Sequence, residues 1–470
     1  MSEKIIRIAG AQGFYGDSPM AAIAIAAEHA ADYLVHDALA ELTLSILQKD
    51  RLQDPNMGYA RDVETLAKFL IPIAFAKGIR IVTNSGGLNP HGAAQKVAAI
   101  LGKQGIKNFK IAVITGDDLL SSLGQLPAQG IELTHLDTGK PFAENQFAPT
   151  HANVYIGAKS VKQALDEGAN LILAGRVADP CLTLGILAHE FGWQLEPDTD
   201  TGTLSQDQLD RLAQGIVVGH LLECGGQASG GNSYAEWPMN YPLDNLGYPI
   251  AHVAADGTAV FTKLDSQGGK MSRDTLREQL VYEIHDPSRY ITPDVTADLT
   301  HVCISEIEPN RVSVKGAKGK PRPEQLKLAI GLNEGFISEQ LFFFSFPFAH
   351  QKAVRFIEAV EQIWSRLPVM IERKEISIIG INGIHGSAAP MPPPELLEQL
   401  NEVGVRLAIK HSDPNTGKIA INAITCLGLN GPPGIVAMPI WGKINRVQLG
   451  LFPALVPRSA VQEQIEWYAL

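Results

Sequence analysis

Residues 4–19 read KIIRIAGAQGFYGDSP, and this stretch decides the expected fold. Lys4 to Ala9 has the apolar content of a buried strand, a glycine-containing turn follows, and Ser18 with Pro19 is a typical start signal for a helix. The same succession of strand, turn and helix recurs at four further apolar runs, residues 32–37, 78–84, 109–115 and 170–175. Repeated units of this kind predict an α/β fold with a mostly parallel sheet and helices on both faces.

The pattern changes near residue 196, and the sequence predicts three regions. Residues 1–195 form the α/β domain, residues 196–300 a glycine-rich α+β segment that completes a site, and residues 301–470 a C-terminal α+β domain packed on the rest. A chain of 470 residues with 45% apolar content exceeds what one core usually holds. Beyond residue 196 we expect helices at 209–224, 351–367 and 395–400, and short strands at 248–253, 257–263, 266–270, 302–307 and 311–315.

Composition excludes several classes of partner. The net charge is -11, the pI is near 5.6, and Lys and Arg are scattered, which argues against a nucleic acid or an anionic membrane surface. No apolar run reaches the roughly eighteen residues of a membrane span, and no signal peptide is recognisable, so we expect a cytoplasmic protein. The four cysteines are widely separated, which excludes a disulfide framework or structural zinc site: Cys181, Cys224, Cys303 and Cys426.

Polar side chains follow the carboxyl ends of the predicted strands, where open α/β sheets bind their ligands. The candidate substrate-binding residues of this edge are Gln12, Asp17, Asp37, Asn84, Gly86, Gly87, Asn89, Arg176 and Asp179. Arg176 could clamp an anion through two hydrogen bonds, or form an ion pair with Asp179 that only shapes the loop. The turn at 84–90 is either a close backbone approach to a ligand or an ordinary loop.

The first turn does not match a dinucleotide-binding fingerprint. Its spacing is G-x-x-G-x-x-G, with Gln12 and Tyr15 where glycine is required, and Asp17 would repel a pyrophosphate. The sequence also contains no G-x-x-x-x-G-K-[ST] motif. We therefore expect neither a nicotinamide nor a flavin cofactor, and no P-loop.

The densest polar stretch, residues 219–232, reads GHLLECGGQASGGN. His220 and Glu223 are three positions apart and would share one helix face, and the glycines that follow leave backbone N–H groups free for a ligand. The candidate catalytic residues are His220, Glu223, His285 and Asp286. The candidate binding residues of this region are Gln227, Gly230, Gly231, Asn232 and Lys263.

Several chemistries remain compatible with these residues. One is acid–base chemistry on a carboxylate or acyl-CoA-like substrate. Another is nucleophilic attack by Cys224, for which the alternative interpretation is an inert buried thiol. A divalent metal held by His220 and Glu223 with His285 or Asp286 has too few fixed ligands, so no metal ligand is assigned. A non-catalytic binding or scaffold subunit is the alternative, although the density of titratable groups favours an enzyme.

The motifs resemble those of the acyclic terpene utilisation (AtuA-like) family, over residues 5–450. The resembling stretches are DYLV at 32–35, NSGGLNP at 84–90, GRVAD at 175–179, residues 219–232, GYPI at 247–250, Gly268-Gly269, EQLVYEIHDP at 278–287 and SRYITPDV at 288–295. The resemblance implies catabolism through acyl-CoA intermediates, without a settled reaction. The resemblance implies that many members of the family carry an additional ferredoxin-like domain or act with a separate small protein of that type. Because this chain ends at Leu470 without such a domain, we expect a small ferredoxin-like partner subunit, and also a homo-oligomer.

Overall fold

The computed structural model describes residues 4–197, 202–438 and 445–470. By their internal contacts these residues form two compact units. The first unit comprises the described residues within Met1–Asn145, Pro149–Gly331 and Leu451–Leu470, and the second comprises those within Gln146–Ala148 and Leu332–Gly450. The three-region division at residues 195 and 300 stays a prediction.

The helices of the described chain are α1 (Met20–Ala27), α2 (Glu41–Gln53), α3 (Asp62–Thr65), α4 (Ile71–Ala76), α5 (Pro90–Lys103), α6 (Lys159–Asp166), α7 (Asp179–Phe191), α8 (Gln206–Glu223), α9 (Arg273–Val281), α10 (Ala349–Trp364), α11 (Pro394–Glu398), α12 (Pro414–Ala423) and α13 (Leu427–Asn430). A π-helical turn, Leu66–Leu70, links α3 to α4. A 3-10 turn, Gly225–Ser229, follows α8.

The strands of the described chain are β1 (Ile6–Gln12), β2 (Tyr33–His36), β3 (Arg80–Thr83), β4 (Lys110–Thr115), β5 (Ala148–Val154), β6 (Leu171–Ala174), β7 (Ile250–Val253), β8 (Ala259–Thr262), β9 (Tyr290–Ile291), β10 (Thr296–Asp298), β11 (Cys303–Glu308), β12 (Arg311–Lys315), β13 (Lys318–Lys320), β14 (Gln325–Ser345), β15 (Arg373–Ile379), β16 (Glu402–His411), β17 (Ile435–Met438), β18 (Asn445–Pro457) and β19 (Gln464–Ala469). Each strand that was expected in the first 195 residues is present.

The first unit is built on one long sheet with the strand order β11-β12-β8-β7-β1-β2-β3-β6-β4-β19. Its five central strands, β1, β2, β3, β6 and β4, are parallel. Antiparallel strands extend it on both sides. Beyond β1 these are β7, β8, β12 and β11, and beyond β4 it is β19. The mostly parallel sheet expected from residues 4–19 and their repeats is confirmed.

Helices cover both faces of this sheet. Alternate strand residues point to opposite faces. Ala9 and Leu34 point into a core that also contains residues of α1, α3, α4 and α5. Gly10 points the other way, where a Cβ would lie 2.2 Å from the carbonyl oxygen of Leu222 in α8. The end of α8 therefore lies on the face opposite α1.

Two local expectations differ from the structure. Helix α1 begins at Met20, with Pro19 as its N-cap, and the Ser18 hydroxyl accepts only a long hydrogen bond of 3.4 Å from the backbone N–H of Met20. Residues 266–270 form a turn rather than a short strand. The backbone of Gly269 is left-handed, with φ of 88°, which is incompatible with a continuing strand.

The second unit contains the antiparallel sheet β15-β16-β14-β17. Its core combines aliphatic and aromatic side chains, and Phe344 packs against Phe356 of α10 with ring centroids 5.3 Å apart. The helices expected at 351–367 and 395–400 correspond to α10 and α11. Within the described ranges, no helix combines the length and the apolarity needed to cross a bilayer.

Candidate active site

Loops that follow neighbouring parallel strands bring polar side chains together. Asp37 follows β2, and its Oδ1 accepts a hydrogen bond of 2.5 Å from the Nδ2 of Asn84, which follows β3. The Oδ1 of Asn84 accepts from the backbone N–H of Ala38 at 2.8 Å. Both side chains are buried. One amide side chain therefore fixes both the loop after β2 and the Asp37 carboxyl group.

Arg176, in the loop after β6, is a buried guanidinium held on several sides. It donates to the carbonyl of Leu39 and, at 2.6 Å, to the Oδ1 of Asp179. Its guanidinium carbon lies 4.0 Å from the centroid of the Tyr155 ring, a cation–π contact. Of the two roles that the sequence left open for Arg176, the ion pair with Asp179 is present in the structure. Contact with an anionic ligand stays a prediction.

A close helix–helix contact brings the end of α8 to the start of α7. Helix α8 begins with a reciprocal cap, in which Ser205 and Gln208 each donate a backbone N–H to the side chain of the other. Near its other end, a Cβ on Gly219 would lie 2.5 Å from the carbonyl oxygen of Pro180. Glycine at this position therefore permits the approach that places Glu223 beside Asp179.

Three carboxyl groups face one another at this junction. Asp37, Asp179 and Glu223 each contribute an oxygen atom, and these atoms lie within 4.8 Å of one another. The Nδ1 of His220 is 2.9 Å from the Oε1 of Glu223, and the Tyr290 ring meets the His220 ring edge-on at 5.4 Å between centroids. We call these four titratable residues, Asp37, Asp179, His220 and Glu223, the carboxyl cluster. The Asp179 side chain is 31% exposed, so the cluster opens to solvent on that side.

Burial makes ionisation of these carboxyl groups unfavourable. The pKa of Asp37 is well above its ordinary value, because of burial and then because of the charge of Asp179. Burial also raises the pKa of Glu223, although the charge of His220 acts in the opposite direction. For His220, burial acts to lower the pKa, but the charge of Glu223 prevails and raises it. The cluster therefore retains protons at pH values where ordinary carboxyl groups are ionised.

An open cleft of about 530 Å³ has Cys224, the residue after Glu223, in its lining, whereas none of the four residues of the carboxyl cluster lines it. Its walls are the turn after β1 and the glycine-rich segment after α8, and a Cβ on Gly13 would lie only 2.6 Å from the backbone nitrogen of Gly225. Asp17 links the turn after β1 to the segment before β7, since it accepts hydrogen bonds from the Gly13 N–H at 2.9 Å and the Tyr248 hydroxyl at 2.7 Å. The cleft is lined by Phe14, Asp17, Cys224, Gln227, Gly231, Asn232, Tyr248 and Tyr282, among others.

The glycine-rich segment uses part of its backbone hydrogen-bonding capacity internally. The Gly230 N–H donates to the carbonyl of Gln227 at 3.1 Å, and the Gly231 N–H donates to that of Gly226 at 2.9 Å. The Gly230 carbonyl accepts from a tyrosine hydroxyl at 2.8 Å. Of the residues expected to bind a ligand here, Gln227, Gly231 and Asn232 line the cleft.

Cys224 also lines the cleft, but its environment disfavours a thiolate. Burial raises the pKa of its thiol, and the charge of Glu223 raises it further. Because the thiolate is the nucleophilic form, a cysteine in such surroundings is poorly reactive. The inert-thiol interpretation of Cys224 is therefore favoured over the nucleophile.

The candidates in the turn after β3 have structural contacts of their own. The Asn89 side chain caps α5 by accepting from the Gly92 N–H at 2.9 Å. A Cβ on Gly86 would lie 2.5 Å from the carbonyl oxygen of Ala174, and Gly87 has a left-handed backbone with φ of 53°. The glycines of this turn are thus explained by backbone packing, and their contact with a ligand stays a prediction.

Lys263, His285 and Asp286 have no described contact with the carboxyl cluster. The Lys263 ammonium is buried and donates to two backbone carbonyls, the nearer being that of Gln267 at 2.7 Å. His285 and Asp286 are both exposed. Asp286 accepts hydrogen bonds from the backbone and hydroxyl of Ser288, at 2.9 and 2.7 Å. The structure therefore separates the two catalytic candidates of α8 from the two in the loop after α9.

Two residues that shape the site, Tyr155 and Tyr290, are not predicted by the sequence. Tyr155 stacks on Arg176, and its hydroxyl donates to Glu41. It follows β5, whose sequence APTHANV has too little apolar alternation to indicate a strand. Tyr290, beside His220, lies in the family-like stretch 288–295, but nothing in that stretch indicates a role.

The three carboxyl groups are also the one set, among the described residues, whose donor atoms are close enough for a metal ion. This set shares only Glu223 with the ligands considered from the sequence. One oxygen of Asp37 is already bonded to Asn84 and one of Asp179 to Arg176, which leaves the second oxygen of each for a cation. All three groups are oxygen donors, which suits Mg²⁺ or Ca²⁺.

Comparison with known proteins gives one match. A family model described as acyclic terpene utilisation family protein AtuA matches residues 6–467, and it confirms the resemblance seen in the motifs. No curated protein and no solved structure matches the chain.

Proposed function

Since the chain belongs to the acyclic terpene utilisation family AtuA, we propose that it is an enzyme of acid or acyl-CoA catabolism that uses acid–base chemistry. The proposed reaction is hydration, dehydration or isomerisation of a carboxylate or acyl-CoA-like substrate. The observation that carries this proposal is the buried pair of His220 and Glu223 beside the carboxyl groups of Asp37 and Asp179. Perturbed titratable groups concentrated beside a cleft are typical of catalytic sites.

The proposed reactions need one group that takes a proton and another that gives one. We assign the base to Glu223, because the charge of His220 opposes the rise that burial causes in its pKa. We assign the acid to Asp37, which keeps its proton because it is buried beside Asp179. His220 is a positioning residue that orients Glu223 and balances its charge. Such a division of roles follows when different surroundings act on neighbouring carboxyl groups.

The cleft supplies the proposed binding surface for the rest of the substrate. Gln227 and Asn232 offer amide groups for a polar substrate, and Phe14 and Tyr248 offer apolar surface. Cys224 lines the cleft directly after Glu223 in the chain, which connects the binding surface to the carboxyl cluster. Of the proposed binding residues of the strand-end loops, Asp17 lines this cleft.

The alternative is a non-catalytic binding or scaffold subunit for a CoA-linked intermediate. The same cleft would bind the intermediate, but the proton-retaining cluster would then serve no reaction. A hydrolase that uses Cys224 is disfavoured by the raised pKa of its thiol. A divalent cation at the three carboxyl groups is a further proposal, and elemental analysis of purified protein tests it by the presence or absence of a stoichiometric ion.

We also propose a cytoplasmic homo-oligomer that acts with a small ferredoxin-like partner subunit. The family resemblance supports the partner. Light scattering of the purified protein tests the oligomer, and co-purification from the native host tests the partner.

The test of the proposed function is turnover of a panel of unsaturated and 3-hydroxy acyl-CoA esters, followed by chromatography. We expect Glu223→Gln and Asp37→Asn to lower kcat by about 10²- to 10⁴-fold, the usual contribution of a general acid or base, and His220→Asn to lower it because Glu223 loses its orienting partner. The matched control is Asp207→Asn, which changes an exposed carboxyl group in the first turn of α8 and should leave turnover unchanged.

Two results would contradict the proposed function. Variants of His220 and Glu223 that are folded and as active as the unchanged protein would remove both residues from the chemistry. Tight binding of an acyl-CoA ester without turnover, unaffected by either substitution, would instead identify a scaffold subunit.

A further inference from the structure

A second and smaller cavity lies on the opposite face of the main sheet from the carboxyl cluster. Leu34 points into the core formed with α1 and α3, and His36, two residues later in β2, points the same way. Its strand neighbour is Gln12, the last residue of β1. The cavity has a volume of about 230 Å³, and its polar lining residues are Gln12, Asp17, Ser18, His36, Asp62 and Thr65.

Buried polar atoms in this cavity have no partner within the described protein. His36 is fully buried, and neither of its ring nitrogens makes a hydrogen bond. The Oε1 of Gln12, which is 3% exposed, is also unpartnered. Most buried polar groups in proteins are hydrogen-bonded, so atoms of this kind beside a cavity indicate that something else binds them. Burial lowers the pKa of His36 to about 3, so its ring is neutral, with one nitrogen that donates and one that accepts.

The charge of the cavity is negative. The Oδ2 of Asp62 accepts from the Nε2 of Gln12 at 2.6 Å and from the Gly16 N–H at 2.8 Å, and no ion pair among the described residues includes Asp62. Asp17 adds a second carboxyl group. No lysine or arginine belongs to the described lining. An anion is therefore disfavoured here, and the available atoms are mostly hydrogen-bond acceptors.

The lining does not suit a metal ion. Both oxygens of Asp17 are already bonded, to the Gly13 N–H, the Ser18 N–H and the Tyr248 hydroxyl. Among the described residues, no set of three metal-ligating side chains forms in this cavity. The volume also exceeds what one ion occupies, since a water molecule in the liquid takes about 30 Å³.

We propose that this cavity binds a small organic cation whose N–H groups donate to Gln12, His36 and Asp62. The cation would donate hydrogen bonds to acceptor atoms that have no partner among the described residues, and it would balance the charge of Asp62. This inference does not depend on the reaction of the carboxyl cluster, which lies on the other face of the sheet.

The test is the thermal unfolding of the full chain with three probes at matched ionic strength: ethanolamine, choline and ethylene glycol. Ethanolamine carries a charged head with N–H donors, choline carries the charge without N–H donors, and ethylene glycol is neutral. We expect ethanolamine to raise Tm in a saturable way and to bind at least about tenfold more tightly than either of the other probes.

Substitutions in α3 test whether ethanolamine binds in this cavity. Asp62→Asn should weaken ethanolamine binding at least about tenfold. The matched control Glu64→Gln, which alters a carboxyl group of the same helix paired with Lys96, should have no effect. If Asp62→Asn fails to fold, Thr65→Met tests the same claim, since its longer side chain would fill the cavity from a half-buried position.

Two outcomes would overturn the inference. Ethanolamine that stabilises the protein no more than ethylene glycol would mean that the cavity holds water only. Ethanolamine binding that persists in both Asp62→Asn and Thr65→Met would mean that the cation binds elsewhere.

Discussion

Asp117, in the loop after β4, shows how burial sets the chemistry of one side chain. Its Oδ2 accepts hydrogen bonds of 2.8 Å from the Arg176 N–H and from the Nδ2 of Asn153. Burial nevertheless prevails and raises its pKa to about 6. The folded protein therefore holds this proton more tightly than the unfolded chain does, so ionisation of Asp117 destabilises the fold as the pH rises.

The prediction concerns Asp117→Asn. Below about pH 4 the Asp117 carboxyl group is protonated in both the folded and the unfolded protein, and above about pH 6 it is ionised in both. The free energy of unfolding of the unchanged protein therefore falls by about 3 kcal/mol between these pH values. The free energy of unfolding of the variant should rise relative to the unchanged protein by about that amount from pH 4 to pH 7. Urea unfolding at several pH values measures it.

Asp256→Asn is the control, because Asp256 is exposed and its carboxyl group accepts hydrogen bonds from the backbone and hydroxyl of Thr258 in a surface turn. Its difference in unfolding free energy from the unchanged protein should not depend on pH. A pH-independent difference for Asp117→Asn as well would contradict the buried, protonated carboxyl group.

The residues of the site were largely predictable, but their arrangement was not. Asp37, Asn84 and Arg176 could be named because polar residues after parallel strands meet at one edge of a sheet. That Glu223 would reach Asp179 depends on the packing of α8 against α7, and no local pattern encodes that distance. His285 was named because titratable residues cluster in its stretch, yet it is exposed.

Among the helices, the crossing of α7 and α8 matters most for the site. Gly219→Ala would place a methyl group against the backbone of Pro180, which cannot move aside as a side chain can. We expect a loss of about 1–3 kcal/mol in the free energy of unfolding, typical of overpacking, and lower activity because Glu223 is displaced. Urea unfolding and the turnover assay measure the two effects.

Gly102→Ala in α5 is the matched control. The nearest atom to its added Cβ is a methyl carbon of Leu470 at 3.8 Å, an ordinary contact. Alanine should therefore stabilise this helix by up to about 1 kcal/mol through its higher helix propensity. Equal effects of the two substitutions would show that helix propensity, rather than the contact with Pro180, governs position 219.

Elements were predictable where burial is uniform. The central strands β2, β3, β4 and β6 are short apolar runs buried on both faces, and all were expected within two residues of their bounds. Strand β5 was missed because its polar residues and proline hide the pattern. The 21-residue strand β14 is not predicted as one element, because Asn333, Glu334 and Gly335 interrupt its two apolar runs.

At the scale of the whole molecule, local sequence patterns do not predict which distant β-strands pair with one another. Strand β19, near the C-terminus, pairs with β4 more than three hundred residues earlier, with Trp467 opposite Ala112. Strands β7, β8, β12 and β11 likewise extend the sheet that begins in the first residues. Local periodicity identifies a strand but not its partner, because register and neighbours are set by the complete core.

The proposal on which the function rests is that the carboxyl cluster moves a proton at the carbon next to the acyl carbonyl of the substrate. Its most direct test is incubation with unsaturated and 3-hydroxy acyl-CoA esters in D₂O, with mass spectrometry of the recovered esters. We predict that the unchanged protein and Asp207→Asn incorporate deuterium at that carbon, and that Glu223→Gln loses the incorporation by about 10²-fold or more. Absence of deuterium with the unchanged protein, or equal incorporation by Glu223→Gln, would contradict the account.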